Sequence, residues 1–147
     1  MKRQIIIGHL FTLLLGGFVY ISFRQDTLKM FSWFDSINLS AVISELRLLT
    51  LPLSDHLPNW FLYSLPDGLW ICSYLSVLLV VWDNVISKHN IHWLLLVPMI
   101  AIFSEIGQLF KIVPGTFDIL DLIFYLGGTV LPILIFTNSK TIKSQTT

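Results

Sequence analysis

The sequence predicts an all-α integral membrane bundle of four transmembrane helices, with an extracytoplasmic amphipathic helix between the first two. Two observations carry that prediction. Of 147 residues, 54% are hydrophobic and only 12% charged, about half the charge of an ordinary soluble domain, and the mean hydropathy is +0.76. Four apolar stretches, about residues 5–23, 69–86, 91–110 and 117–136, satisfy or approach the roughly 20 residues that a helix needs to cross the hydrocarbon core. No internal repeat divides the chain, so residues 1–136 read as one helical transmembrane domain. The polar residues 137–147 read as a disordered cytoplasmic tail.

The first stretch follows Lys2 and Arg3 and runs to Tyr20 and Phe23 with no small-residue cleavage site, so it reads as a retained helix rather than a secretory signal. Its Gly8, Thr12 and Gly16 recur every four residues. Such a small-residue stripe lets another helix backbone approach closely. With both termini in the cytoplasm, Lys2, Arg3, Lys88, Lys140 and Lys143 lie inside, and Arg24, Lys29, Arg47 and Lys111 lie outside. A basic N-terminus ahead of the first span favours that orientation.

In the connection to the second span, Leu39, Val42, Ile43, Leu46 and Leu49 recur at helical spacing with Ser40, Ser44, Glu45 and Arg47 on other faces. Residues 39–50 therefore read as an amphipathic helix lying along the membrane surface. Phe31, Trp33 and Phe34 before it, and Trp60, Phe61 and Tyr63 after it, are aromatic clusters suited to headgroup level. Pro52, Pro58 and Pro66 punctuate the return into the membrane.

Glu105 stands inside the third span, with Gln108 one turn later and Asp118 and Asp121 shortly after. A carboxylate in hydrocarbon costs several kcal/mol, so a membrane helix seldom keeps one without a use. At about 1.5 Å per residue, Glu105 lies roughly 9 Å below Lys111, and Asp121 roughly 7 Å below Thr116. Asp67 approaches from the same side. Asp118, Asp121, Tyr125 and Gly128 share one helical stripe, and Glu105 and Gln108 share another. Asp67, Glu105, Gln108, Asp118, Asp121 and Tyr125 thus form a candidate ligand-binding pocket with acidic walls, open to the exterior.

Structural roles compete for the same residues. A Ser64-x-x-Asp67 capping box and a Thr116 cap with Asp118 in the first turn account for Asp67 and Asp118 as well as a pocket does. For Glu105 and Asp121 the competing role is a hydrogen-bond network with Gln108, Ser104 or Tyr125, closed by Lys111 or Arg47. His9 is alone in the first span, and His56, His89 and His92 lack metal-ligand spacing. The single Cys72 excludes an intrachain disulfide and a multi-cysteine metal cage. It reads as a small buried side chain. A formal net charge of +0 with no basic run argues against nucleic acid as a partner.

The segment SEIGQLFKIVPGTFDILDLIFYLGGTVLPIL resembles the C-terminal half of VanZ-like membrane proteins. There, a Glu-x-x-Gln helix leads through a Pro-Gly turn into Asp-x-x-Asp and a glycine-containing helix. Glu105, Gln108, Pro114, Gly115, Asp118, Asp121 and Gly128 carry the match. The chain departs from the pattern at Thr116, commonly Arg, and at Tyr125, commonly Asn. An Asp-Lys-x-x-His signature is reduced to Asp67, Gly68 and Ile71. The resemblance implies a bacterial plasma-membrane protein of the cell envelope, in a family whose founding type is associated with teicoplanin resistance.

Three functions follow as expectations. Leading them is a pocket for an amphiphilic antibiotic, a lipid headgroup or a cation. A second is a small structural subunit of a larger membrane complex. The third is an enzyme in which Glu105, Asp118 and Asp121 hold Mg²⁺ for chemistry on a lipid phosphate. It ranks last, because no nucleophile paired with a base and no phosphate-binding glycine loop is visible.

Overall fold

A computed structural model describes residues 1–137, so most of the polar tail lies outside the described residues. The molecule is 78% helical, and among the described residues there is no strand. Four helices are long and apolar enough to cross a membrane: α1 (Gln4–Phe23), α4 (Asn59–Val81), α5 (Ile91–Leu109) and α6 (Ile119–Phe136). Their connection carries α2 (Lys29–Ser36), α3 (Ser40–Thr50) and a 3₁₀ turn, Leu51–His56. The first half of α1, Gln4–Phe11, is wound as a π-helix.

The second span differs most from expectation. It begins ten residues earlier than the expected start at residue 69, at Asn59 after the extended Pro58, and ends at Val81. Pro66 is expected to punctuate the return into the membrane and Asp67 to belong to a helix cap, yet Pro66, Asp67 and Gly68 all lie within the helix. Membrane helices tolerate proline and glycine where other helices pack against them. Gly68 packs directly on Phe124 of α6. The Ser64 capping box is therefore absent, and Ser64 is a buried mid-helix residue. The Thr116 cap is absent too: Asp118 caps α6, its Oδ1 accepting the Leu120 N–H at 2.9 Å.

The helix ends are built alike. After α2, α4 and α5 the chain turns back through Asn38, Asp83 and Lys111, all at positive φ. In each, the next amide reaches five residues back: Leu39 to Phe34, Asn84 to Leu79, and Ile112 to Gly107. This closure satisfies the terminal carbonyls and usually employs glycine.

α4 is the centre of the bundle. Of its apolar window 44% is buried, against 17–22% for the other three spans. α4 and α6 run parallel and touch where both have glycine: a Cβ on Gly128 would run into the Gly68 carbonyl. α1 runs antiparallel to both. A Cβ on Gly8 would come within 2.8 Å of Ser76 Oγ, and one on Gly16 within 2.8 Å of Trp70 Nε1. The small-residue stripe of α1 is thus spent on packing inside the monomer. His9 Nδ1 lies 2.8 Å from Ser73 Oγ, and Gln4 Nε2 donates to Asn84 Oδ1 at 2.7 Å. Hydrocarbon provides no hydrophobic drive between helices, so close van der Waals contact and such polar links hold the body together.

α3 is anchored by one residue. Arg47 donates to the Ile21 carbonyl at 2.7 Å, at the C-terminal end of α1, and its guanidinium lies 4.9 Å from the Phe31 ring centroid. Val42, Leu48 and Leu49 remain exposed, as an interfacial helix requires. α2 has no counterpart in the sequence reading.

A candidate acidic site at the helix ends

The site lies at the end of the bundle away from the N-terminus, where α1 and α5 finish and α4 and α6 start. Glu105 is four residues from the end of α5, about 6 Å along the axis, and is only 3% exposed. Its Oε2 accepts the Asp118 N–H at 3.2 Å. That bond links α5 to the first residues of α6, and the Gln108 side chain is a further hydrogen-bonding neighbour of the Glu105 carboxyl. The positive-φ turn at Lys111 and the Pro114-Gly115 bend make the link possible by folding the chain back within one short loop. Gly115, at φ +139°, lies so close to Gln108 that a Cβ there would meet the amide at 2.7 Å. Gln108 therefore supports the bend as well as standing beside Glu105.

Asp121, one turn into α6, is half-buried, and its Oδ1 is buried without a hydrogen-bond partner. Asp67 sits eight residues into α4, roughly 12 Å along the helix, deeper than an entry residue would be. Its Oδ2 lies 3.7 Å from Arg24 Nη2, the single ion pair among the described residues. Arg24 is held in place by its own donation to the Tyr63 carbonyl at 3.0 Å. Its guanidinium stands 5.0 Å from the Tyr20 ring centroid and 5.1 Å from that of Tyr63. Asp67, Glu105 and Asp121 are close enough to sense one another's charge. Beneath them, a cavity of about 250 Å³ is lined by Asp67, Trp70, Ile71, Val97, Ala101 and Tyr125.

Of the six site residues expected from sequence, the structure gathers Asp67, Glu105, Asp121 and Tyr125, with Gln108 packed between Gly115 and the Glu105 carboxyl. Asp118 is exposed and spends its carboxylate on its own helix. It reaches the cluster through its backbone N–H and through its charge, which acts on Glu105. The cations expected to close the network are elsewhere, Arg47 on the carbonyls of α1 and Lys111 exposed in the turn. Arg24 does that work instead, and nothing in its own sequence neighbourhood marked it. Its partnership with Asp67 depends on how α1 packs against an α4 that starts ten residues earlier than expected.

The set Glu105, Asp118 and Asp121 does not form a magnesium site. Among the described residues no three His, Cys, Asp or Glu side chains converge to hold a metal ion. The Asp118 carboxylate is directed to Leu120. Comparison with protein-family models, curated proteins and solved structures finds no match for the chain.

Proposed function

We propose that the chain is a VanZ-like protein of a bacterial plasma membrane whose outward-facing acid cluster binds the cationic part of an amphiphilic envelope ligand. The ligand is a lipid headgroup or a lipoglycopeptide of the teicoplanin type. One observation carries the reading. Of Asp67, Glu105 and Asp121, only Asp67 is paired with a cation among the described residues, Arg24, so the cluster holds more carboxyl groups than those residues neutralise. Desolvated acids at that depth are costly unless something compensates them. Below them, Trp70 and Tyr125 line the cavity, and aromatic faces favour a cation as carboxylates do. The match of Glu105, Gln108, Pro114, Gly115, Asp118, Asp121 and Gly128 to the VanZ-like pattern supports the envelope setting.

The test is binding to the full chain in nanodiscs, with fluorescently labelled teicoplanin and phosphatidylethanolamine as separate probes. Glu105→Gln and Asp121→Asn keep size and most hydrogen bonding but remove charge. Each is expected to weaken binding about tenfold, the factor for roughly 1.4 kcal/mol. Unchanged binding of both probes in both variants would remove the cluster from the ligand site.

The outward direction follows from the basic residues near the N-terminus. In a Cys72→Ala background, a cysteine at Ser54 is expected to react with an impermeant thiol reagent in intact cells, and one at Ser87 to be protected. Ser139 offers a second protected position, although it lies outside the described residues. Labelling at Ser87 but not Ser54 would turn the map over.

A further inference from the structure

We propose a binding site for an anionic phospholipid at the opposite end of the bundle, in the groove between the start of α1 and the end of α6. The groove is about 540 Å³ in volume. Its walls are apolar: Ile7 from α1, and Ile135 and Phe136 from α6, with the Phe136 ring lying over Gly8. Ile7 is 49% exposed and Ile135 67%, so neither is used in packing the monomer, and together they suit an acyl chain. At its mouth stands Arg3, and at its floor the Gln4–Asn84 hydrogen bond of 2.7 Å ties α1 to the turn after α4. Gln4 is buried and also donates to the Ser76 carbonyl at 3.2 Å, so the floor is fixed rather than adaptable.

Charge selects the occupant. The nine acids divide unevenly between the two ends of the bundle, and Asp83 alone lies at this one. Against it stand Arg3, which lines the groove, Lys2 beside it in the sequence, and Lys88 at the same end but outside the groove. A basic rim above an apolar slot at the ends of membrane helices fits a phosphate above an acyl chain. Arg3 presents a planar fork of donors suited to phosphate oxygens. A zwitterionic or neutral lipid would leave the basic excess unanswered.

The experiment is native mass spectrometry of the full chain in mild detergent, offered phosphatidylglycerol or phosphatidylcholine with matched acyl chains. Preferential retention of phosphatidylglycerol is expected. Arg3→Gln should lower that retention about fivefold, the factor for roughly 1 kcal/mol per basic side chain at an anionic surface. Arg3→Lys should keep most of it. Lys88→Gln makes the same charge change at the same end but outside the groove, and should leave retention intact. Ile135→Ser, which alters the wall and no charge, should also weaken it. Equal retention of the two lipids, or equal losses with Arg3→Gln and Lys88→Gln, would overturn the groove as the site. A lipid-free dimer that Arg3→Gln dissociates would make the groove an interface between copies and overturn it equally.

Discussion

The seam between α4 and α6 and the attachment of α5 are built on different principles. α4 and α6 meet at Gly68 and Gly128, backbone against backbone, with Cys72 beside them. α1 joins the same body through Gly8 and Gly16. α5 carries its own exposed face of Leu96, Met99, Ile100 and Phe103, and a hydrogen bond from the Asp118 amide to Glu105 ties its far end to α6. The site therefore lies where a tightly packed three-helix body meets a helix held in part by polar contacts. A packed seam fixes distances, whereas a polar link can exchange its partner for a ligand.

The largest way to break this comparison is Gly128→Leu. A side chain there meets the Gly68 carbonyl and the Cys72 amide, and neither backbone can yield without separating α4 from α6. Overpacking of this kind costs about 3 kcal/mol, read as a loss of resistance to denaturant in mild detergent. A variant as stable as the parent would show that the seam is not tight.

Next comes Arg24→Leu. It leaves Asp67 within the span without its cation, and removing one partner of an ion pair is worse than removing both. Because the side chains are 26% and 23% exposed, the loss is expected to be about 1–2 kcal/mol rather than the full cost of a buried pair. Asp67→Asn in the same chain should recover part of it. No recovery would mean that Arg24 acts through Tyr20 and Tyr63 instead.

These two positions also show what was legible in the sequence. Glu105 announced itself, because a carboxylate inside an apolar run needs no structure to be noticed. Asp121 and Tyr125 followed from helical spacing. Asp67 was noticed but placed too shallow, since Pro66-Asp67-Gly68 has the composition of a turn and only contact with α6 makes that glycine a packing residue. The contact of Gly68 with Phe124 leaves no room for a side chain there. Arg24 was invisible as a site residue because its role is tertiary. α2 was missed because KMFSWFDS is short and has no side-chain cap.

A smaller effect separates the fold from the site at Glu105. Glu105→Leu removes the acceptor for the Asp118 N–H, at about 1 kcal/mol, and should speed amide exchange at Asp118. Glu105→Gln retains an acceptor oxygen and should leave that exchange close to the parent. If both variants exchange alike, the hydrogen bond is not what holds α5 to α6.

The smallest expected change comes from the glycines beside the ones that matter. A Cβ at Gly17 or Gly127 meets nothing within 4 Å, although their neighbours Gly16 and Gly128 admit no side chain. Gly17→Leu and Gly127→Leu should therefore leave stability within about 0.5 kcal/mol of the parent, as exposed substitutions usually do. The same pair tests the structural-subunit reading. The α1 stripe is already consumed by α4, so small-residue faces open to a partner helix are those of Gly17 and Gly127. Gly127 also lines an apolar groove of about 260 Å³ with Leu69 and Leu131. Native mass spectrometry of both variants in mild detergent gives the answer. A parent complex that Gly127→Leu dissociates while the bundle stays folded would make the α4–α6 groove a docking face and the chain a subunit. A monomer unaffected by either change leaves the acid end as the functional part of the molecule.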